Sequence, residues 1–135
     1  MKIISIRQPW LHVILAEGKD IENRSRPTAY RGWVALHAPA QVAEDDDMPE
    51  NWTRGDALAL DRRAILAVAR IADVVTESDS KWFNQERSPN YGLALSDVKA
   101  LKKPLPYNGG VQGVKQLPEE IAAQLRELFP KLRMD

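Results

Sequence analysis

The 135-residue chain contains no cysteine. Disulfides, thiolate zinc sites and cysteine nucleophiles are therefore excluded. Histidine is nearly absent too, with only His12 and His37, so a metal site would have to draw on carboxylates. The run Asp45-Asp46-Asp47 lacks the alternating ligands and glycine of a calcium loop, and reads as a solvated loop. No metal and no cofactor is expected. No serine nucleophile elbow or phosphate-cradling glycine motif occurs. Long hydrophobic runs are missing as well. The first apolar stretch is interrupted by Arg7, His12 and Glu17, which fits neither a signal peptide nor a spanning helix. The expectation is a cytoplasmic protein with no membrane partner.

An excess of one charge is also missing, since 19 basic residues meet 19 acidic ones. A protein that coats phosphate indiscriminately would be strongly basic. The distribution is uneven, however. Residues 39–61 are acidic apart from Arg54, residues 1–38 carry twice as many bases as acids, and Lys99, Lys102, Lys103 and Lys115 follow without an acid over 98–117. If the two basic segments meet in space, they form a local positive surface that the total conceals.

What is present suits one domain over residues 1–135. Ile3, Ile4 and Ile6 predict a strand, and Gln8-Pro9 opens a helix of about two turns that Gly18 terminates. Further strands are predicted over 21–26, 33–36, 64–75, 91–101 and 111–115, with Lys102-Lys103-Pro104 ending the one before last. Residues 39–61 read as an excursion with one or two short helices, and 76–90 as a surface loop. Pro118 with Glu119 and Glu120 opens a C-terminal helix whose apolar face is Ile121, Leu125, Leu128 and Phe129. The pattern is α+β, built on a small mixed barrel.

Lys19, Glu22 and Arg24 stand out chemically. Residues two apart on a strand share a face, so Glu22 and Arg24 point together, and Lys19 lies at the helix-to-strand corner. Such a cluster can bind, through the donor fork of arginine and the acceptor oxygens of glutamate. It can also catalyse, through a desolvated lysine acting as a base, or it can be a structural ion-pair network. Arg7, Gln8 and Trp10 form a second set: tryptophan offers a stacking face and glutamine could read a base edge, though a tryptophan opening a helix also suits the core. Arg31 and His37 border the same region.

Three segments, Ser5-Ile6-Arg7-Gln8-Pro9-Trp10, Gly18-Lys19-Asp20-Ile21-Glu22-Asn23-Arg24 and the stretch RGWVALHA from Arg31 to Ala38, resemble in order and spacing the activating signal cointegrator homology (ASCH) domain family. Its hallmark is a GxKxxExR-like motif; here the glycine directly precedes the lysine. The resemblance implies a PUA-like barrel with an N-terminal helix after the first strand, and a cleft lined by that motif. It also implies binding of RNA, single-stranded RNA foremost, or of a nucleobase or modified nucleoside. Some members are ribonucleases, and others are amidohydrolases that deacylate N4-acylated cytidine with a lysine, a threonine and a glutamate. Lys19 matches that lysine, and Glu22 stands where the threonine would be. Ser25, Thr28 or water would then have to replace the hydroxyl, with Asp73 or Glu77 as the second acid. A hydrolase using Lys19 and Glu22, and a domain using the cleft for a protein partner, are the alternatives. A cleft lysine should be replaceable by alanine with little loss of stability.

Overall fold

A computed structural model describes residues 1–134. The strands are β1 (Lys2–Ser5), β2 (Ile21–Arg24), β3 (Gly32–Ala38), β4 (Ala64–Val75), β5 (Tyr91–Pro106) and β6 (Lys115–Gln116). The helices are α1 (Trp10–Glu17), α2 (Arg54–Leu58) and α3 (Glu119–Leu128), with a single 3-10 turn at Asp45–Asp47. The strands form one sheet in the order β2-β5-β4-β3-β1-β6. Only the β1–β3 pair is parallel, because α1 and β2 carry the chain between them.

Both faces of the sheet are covered, and strand periodicity explains how. Val34, Leu36 and Ala38 of β3 join Ile4 and Ile6 and the α1 residues Leu11 and Ile14 in one core. The alternate residue Ala35 joins Ile3, Ile65 and Val68 in a second core, closed by Ala122 and Leu125 of α3. In β4, register shifts between Ile65 and Ala67 and between Val68 and Arg70 reset the alternation, so that Leu66 and Ala67 both face the first core.

The sheet curls. β2 and β1 are separated by three strands in the ladder, yet the Arg24 guanidinium of β2 donates to the Ser5 carbonyl of β1 at 2.7 Å. A flat sheet with strands roughly 4.8 Å apart would hold them much farther apart. Arg24 thus spans the seam of the α+β mixed barrel expected from the sequence.

Several boundaries differ from the sequence reading. β5 continues through Lys102-Lys103-Pro104 to Pro106. Its inner edge stays paired to β4 as far as Ala64↔Pro106, whereas β2 covers only Tyr91–Ala94 on the outer edge. Prolines are tolerated on an edge that donates to no neighbour. The strand expected at 111–115 is instead the short β6 at Lys115–Gln116. Pro9 sits at the N-cap of α1 rather than inside its first turn. Gly18 does end α1, with φ 74°, and its N–H caps the Val13 carbonyl. On α3, Leu125 is buried as expected while Leu128 is exposed.

Candidate functional site

The ends of β1 and β2, the start of α1, the 76–90 loop and the 108–113 loop enclose a cleft of about 930 Å³. Its innermost wall is an ion triad. Lys19 Nζ donates to Glu22 Oε1 at 3.0 Å and to the Ile21 carbonyl at 2.6 Å, and lies 5.3 Å from the centre of the Trp10 ring. Arg24 pairs with the other carboxylate oxygen, Oε2, at 3.0 Å. The side chains of Lys19 and Glu22 are only 3% and 12% exposed. Burial alone would raise the Glu22 carboxyl, but Lys19 and Arg24, by charge and by hydrogen bonds, hold it below its ordinary value.

Lys19 is thus no loosely held cleft lysine. Its ammonium is engaged by a carboxylate, a carbonyl and an aromatic face, so the expectation that alanine would be harmless there gives way. Removing the cation leaves Glu22 buried with one partner fewer.

The opposite wall is the 76–90 loop, and β2 holds it. Asn23 Nδ2 donates to the Trp82 carbonyl at 3.0 Å, while its Oδ1 accepts from Asn84 N at 3.0 Å and Asn90 Nδ2 at 2.9 Å. Ser80 Oγ donates to Asp20 Oδ1 at 2.6 Å. Phe83 lies where a side chain at Gly92 would begin, since a Cβ there would stand 2.9 Å from its ring and from Ile21. Glycine is therefore required at 92 for the loop to seat on β5. These anchors present Lys81, Trp82 and Arg87 to the cleft; Lys81 Nζ stands 4.8 Å from the Trp82 ring centre. Neither Lys81 nor Arg87 has an ion pair within 4 Å among the described residues.

Arg7, Trp10, Lys19, Glu22 and Arg24 all line the cleft. Arg7 reaches Gln41 Oε1 at 2.8 Å and Glu44 at 3.6 Å. Trp10 divides its loyalties: the ring carries Lys19, and Nε1 donates to the Asp47 carbonyl at 2.9 Å. Gln8, Arg31 and His37 stand elsewhere. Gln8 is buried, accepting from His12 N–H at 2.9 Å to close the start of α1 and donating to the Asp61 carbonyl at 3.0 Å. Arg31 meets Asp73 at 3.7 Å with both side chains exposed to solvent, outside the cleft, and Glu77 borders a separate groove. His37 is fully buried behind Ser5.

The run Asp45–Asp47 is exposed, as expected of a solvated loop, and it supplies the second acid of the cleft, Asp47. The 3-10 turn brings it to the rim. Although Asp47 is exposed, desolvation at the rim first, and the charge of Glu22 second, raise its carboxyl above its ordinary value, with Trp10 and Arg87 working the other way. Sequence patterning could not find Asp47, because only the tertiary placement of the 39–61 excursion distinguishes it from Asp45 and Asp46. Trp82 stands out in the sequence as an aromatic in a polar excursion that can cap a pocket or bury itself locally, and the structure places it in the cleft wall; Asn23 and Arg87 carry no such signal.

Neither a comparison with protein-family models nor one with curated proteins yields a match. Solved structures do. The crystal structure of ASCH from Zymomonas mobilis superposes with a TM-score of 0.59 over 94% of each chain, at 15% sequence identity. The chain has the ASCH fold. A tyrosine-to-phenylalanine variant of the same Zymomonas mobilis protein matches with a TM-score of 0.59 at 14% identity, covering 94% of this chain and 96% of that one. In this ASCH fold, the Lys19–Glu22–Arg24 segment singled out in the sequence lies at the mouth of the seam, inside the cleft. No helix among the described residues is long and apolar enough to cross a membrane.

Proposed function

We propose that the cleft binds a short single-stranded stretch of nucleic acid, RNA foremost, or a single nucleotide or modified nucleoside. One observation carries this reading. On a chain without net charge, the cleft gathers five cations, Arg7, Lys19, Arg24, Lys81 and Arg87, against two carboxylates, with Trp10 and Trp82 in its walls. Cations meet phosphates while aromatic faces stack unpaired bases, the combination that holds single strands. The concentration of charge is local, as electrostatic focusing in a cleft requires. Fluorescence anisotropy with a short labelled RNA tests it. Binding should weaken with salt, with a log–log slope of about −0.7 per phosphate neutralised. Affinity that ignores salt, or no binding at all, would refute the proposal.

A hydrolytic reading, as a ribonuclease or an N4-acylcytidine amidohydrolase, is favoured by a second observation. Glu22 and Asp47 share the cleft, and their environments push the two carboxyls in opposite directions. Such divergence separates a group that stays charged from one that can hold a proton. In that reading Asp47 is the proton donor and Glu22 the fixed negative charge, while Lys19 positions Glu22. Product formation from RNA or N4-acetylcytidine, lost in Asp47→Asn, would establish it.

A further inference from the structure

Ser5 and His37 face one another as a register pair on β1 and β3. Ser5 Oγ lies 2.8 Å from His37 Nδ1, and His37 Nε2 lies 2.8 Å from the Tyr107 carbonyl. A carbonyl can only accept, so Nε2 carries the imidazole proton and Nδ1 is the bare nitrogen. The Ser5 hydroxyl therefore donates its proton to a basic nitrogen, in the direction a nucleophile requires. Burial keeps this imidazole neutral by lowering its affinity for a second proton, the Tyr107 contact opposing only in part.

Two further features exceed what a structural hydrogen bond needs. His37 does not reach the cleft, whereas Ser5 is buried yet borders it. Its cover is the 108–113 loop, which reaches it through Val111 N–H donating to Ser5 Oγ at 2.9 Å. Val111 packs against the second core, while around Gly109, Gly110 and Gly113 no other atom lies within 4 Å of where a side chain would begin, so the loop is held at Val111 and is open at its glycines. The Arg24 guanidinium, which grips the Ser5 carbonyl, keeps a buried Nε–H with no partner among the described residues. It is an unpartnered donor on the residue that grips the Ser5 main chain.

We propose that Ser5 is a nucleophile with His37 as its base, and that the cleft cleaves carboxylic esters. Ser5 Oγ forms a bond to the ester carbonyl carbon as its proton passes to His37 Nδ1. The tetrahedral oxyanion collapses, the bond to the alcohol oxygen breaks, and His37 returns the proton to that oxygen. Water then attacks the acyl-serine with the proton passing again through His37, so that ester and water become acid and alcohol and the enzyme is restored. The surrounding cations select an anionic alcohol. That preference alone rests on the binding reading above, whereas the chemistry of Ser5 does not.

The test therefore uses a small neutral reagent. The folded protein is treated with phenylmethanesulfonyl fluoride, and its peptides are weighed. One sulfonyl group should appear on Ser5, none in Ser5→Ala, and labelling should slow at least about 100-fold in His37→Gln. Because losing a buried imidazole can unfold the chain, access is measured separately with Ser5→Cys, whose thiol is the only one in the molecule. Iodoacetamide should alkylate that thiol in the folded state. Both results are required. No adduct on Ser5, an adduct whose rate ignores His37 in a folded variant, or a thiol shielded until urea unfolds the chain would each overturn the proposal. RNA affinity is untouched by any of these outcomes.

Discussion

The two walls of the cleft are built on opposite principles. On the barrel side, Lys19 is buried, Glu22 and Arg24 are partly buried, and all three are engaged with one another, with Lys19 and Arg24 also donating to main-chain carbonyls. On the loop side, Lys81 and Arg87 are exposed, with Trp82 half-buried between them. A buried charge pair is costly to break and slow to rearrange, so the barrel wall sets shape. A solvated cation is free to meet a phosphate, so under the proposed binding the loop wall is where a ligand would gain affinity. The triad is the part visible in the sequence, and the loop is the part that reads as featureless. Conspicuous residues can thus be the frame, and inconspicuous ones the grip.

The two walls differ most at Lys19. Lys19→Ala should cost about 3 kcal/mol of stability, the lower end for dismantling a buried pair, because Arg24 still offsets Glu22. Urea denaturation measures it, and a cost near zero would remove the distinction between the walls. Next comes Trp82→Ala, which should weaken RNA binding by about 1–3 kcal/mol in anisotropy while leaving the urea midpoint in place. Asn23→Ala sharpens the contrast by loosening the loop without touching its charges. It removes three hydrogen bonds to the loop, worth about 1 kcal/mol each, and should speed amide exchange at Asn84, whose N–H it holds. Smaller still, Lys81→Ala or Arg87→Ala should shift stability by no more than about 0.5 kcal/mol and flatten the salt slope by about 0.7 each.

Acid provides a last discrimination. The folded state holds Glu22 below its ordinary value of 4.5. The stability this carboxylate contributes is present above that value and is lost as pH falls through its lowered folded pKa. Asp47, held above its ordinary value, acts in reverse: its penalty is relieved as pH falls through the raised one. The melting temperature of Glu22→Gln should therefore depend less on pH below about 4.5 than that of the parent. Parallel pH profiles would contradict the buried triad.

The sequence exposed the α+β class, most strands and the helix ends, because alternation, Gly18 and Pro118 act locally. It also exposed Lys19, Glu22 and Arg24, since a strand puts residues two apart on one face. It could not show where β5 ends: the two prolines look like terminators until the missing outer neighbour makes them harmless. Gln8, attractive as a base reader, proved to be occupied at both ends of its amide, a property of distant Asp61 and the turn into α1. Asp47 and Trp82 enter the cleft only because long excursions fold back on β2 and α1. Nothing in their neighbours' identities encodes that return.

The contact between Arg24 and the Ser5 carbonyl has a consequence for how the protein responds to its surroundings. The same guanidinium bridges the open side of the barrel and borders the cleft, so closure and occupancy share one group. A ligand held there adds to the folded state alone, about 2.7 kcal/mol when present at a hundred times its dissociation constant. The barrel is thereby made hardest to unzip when the cleft is full. If the proposed binding holds, heat resistance of this molecule becomes a gauge of its ligand, readable in crude mixtures before that ligand has been purified.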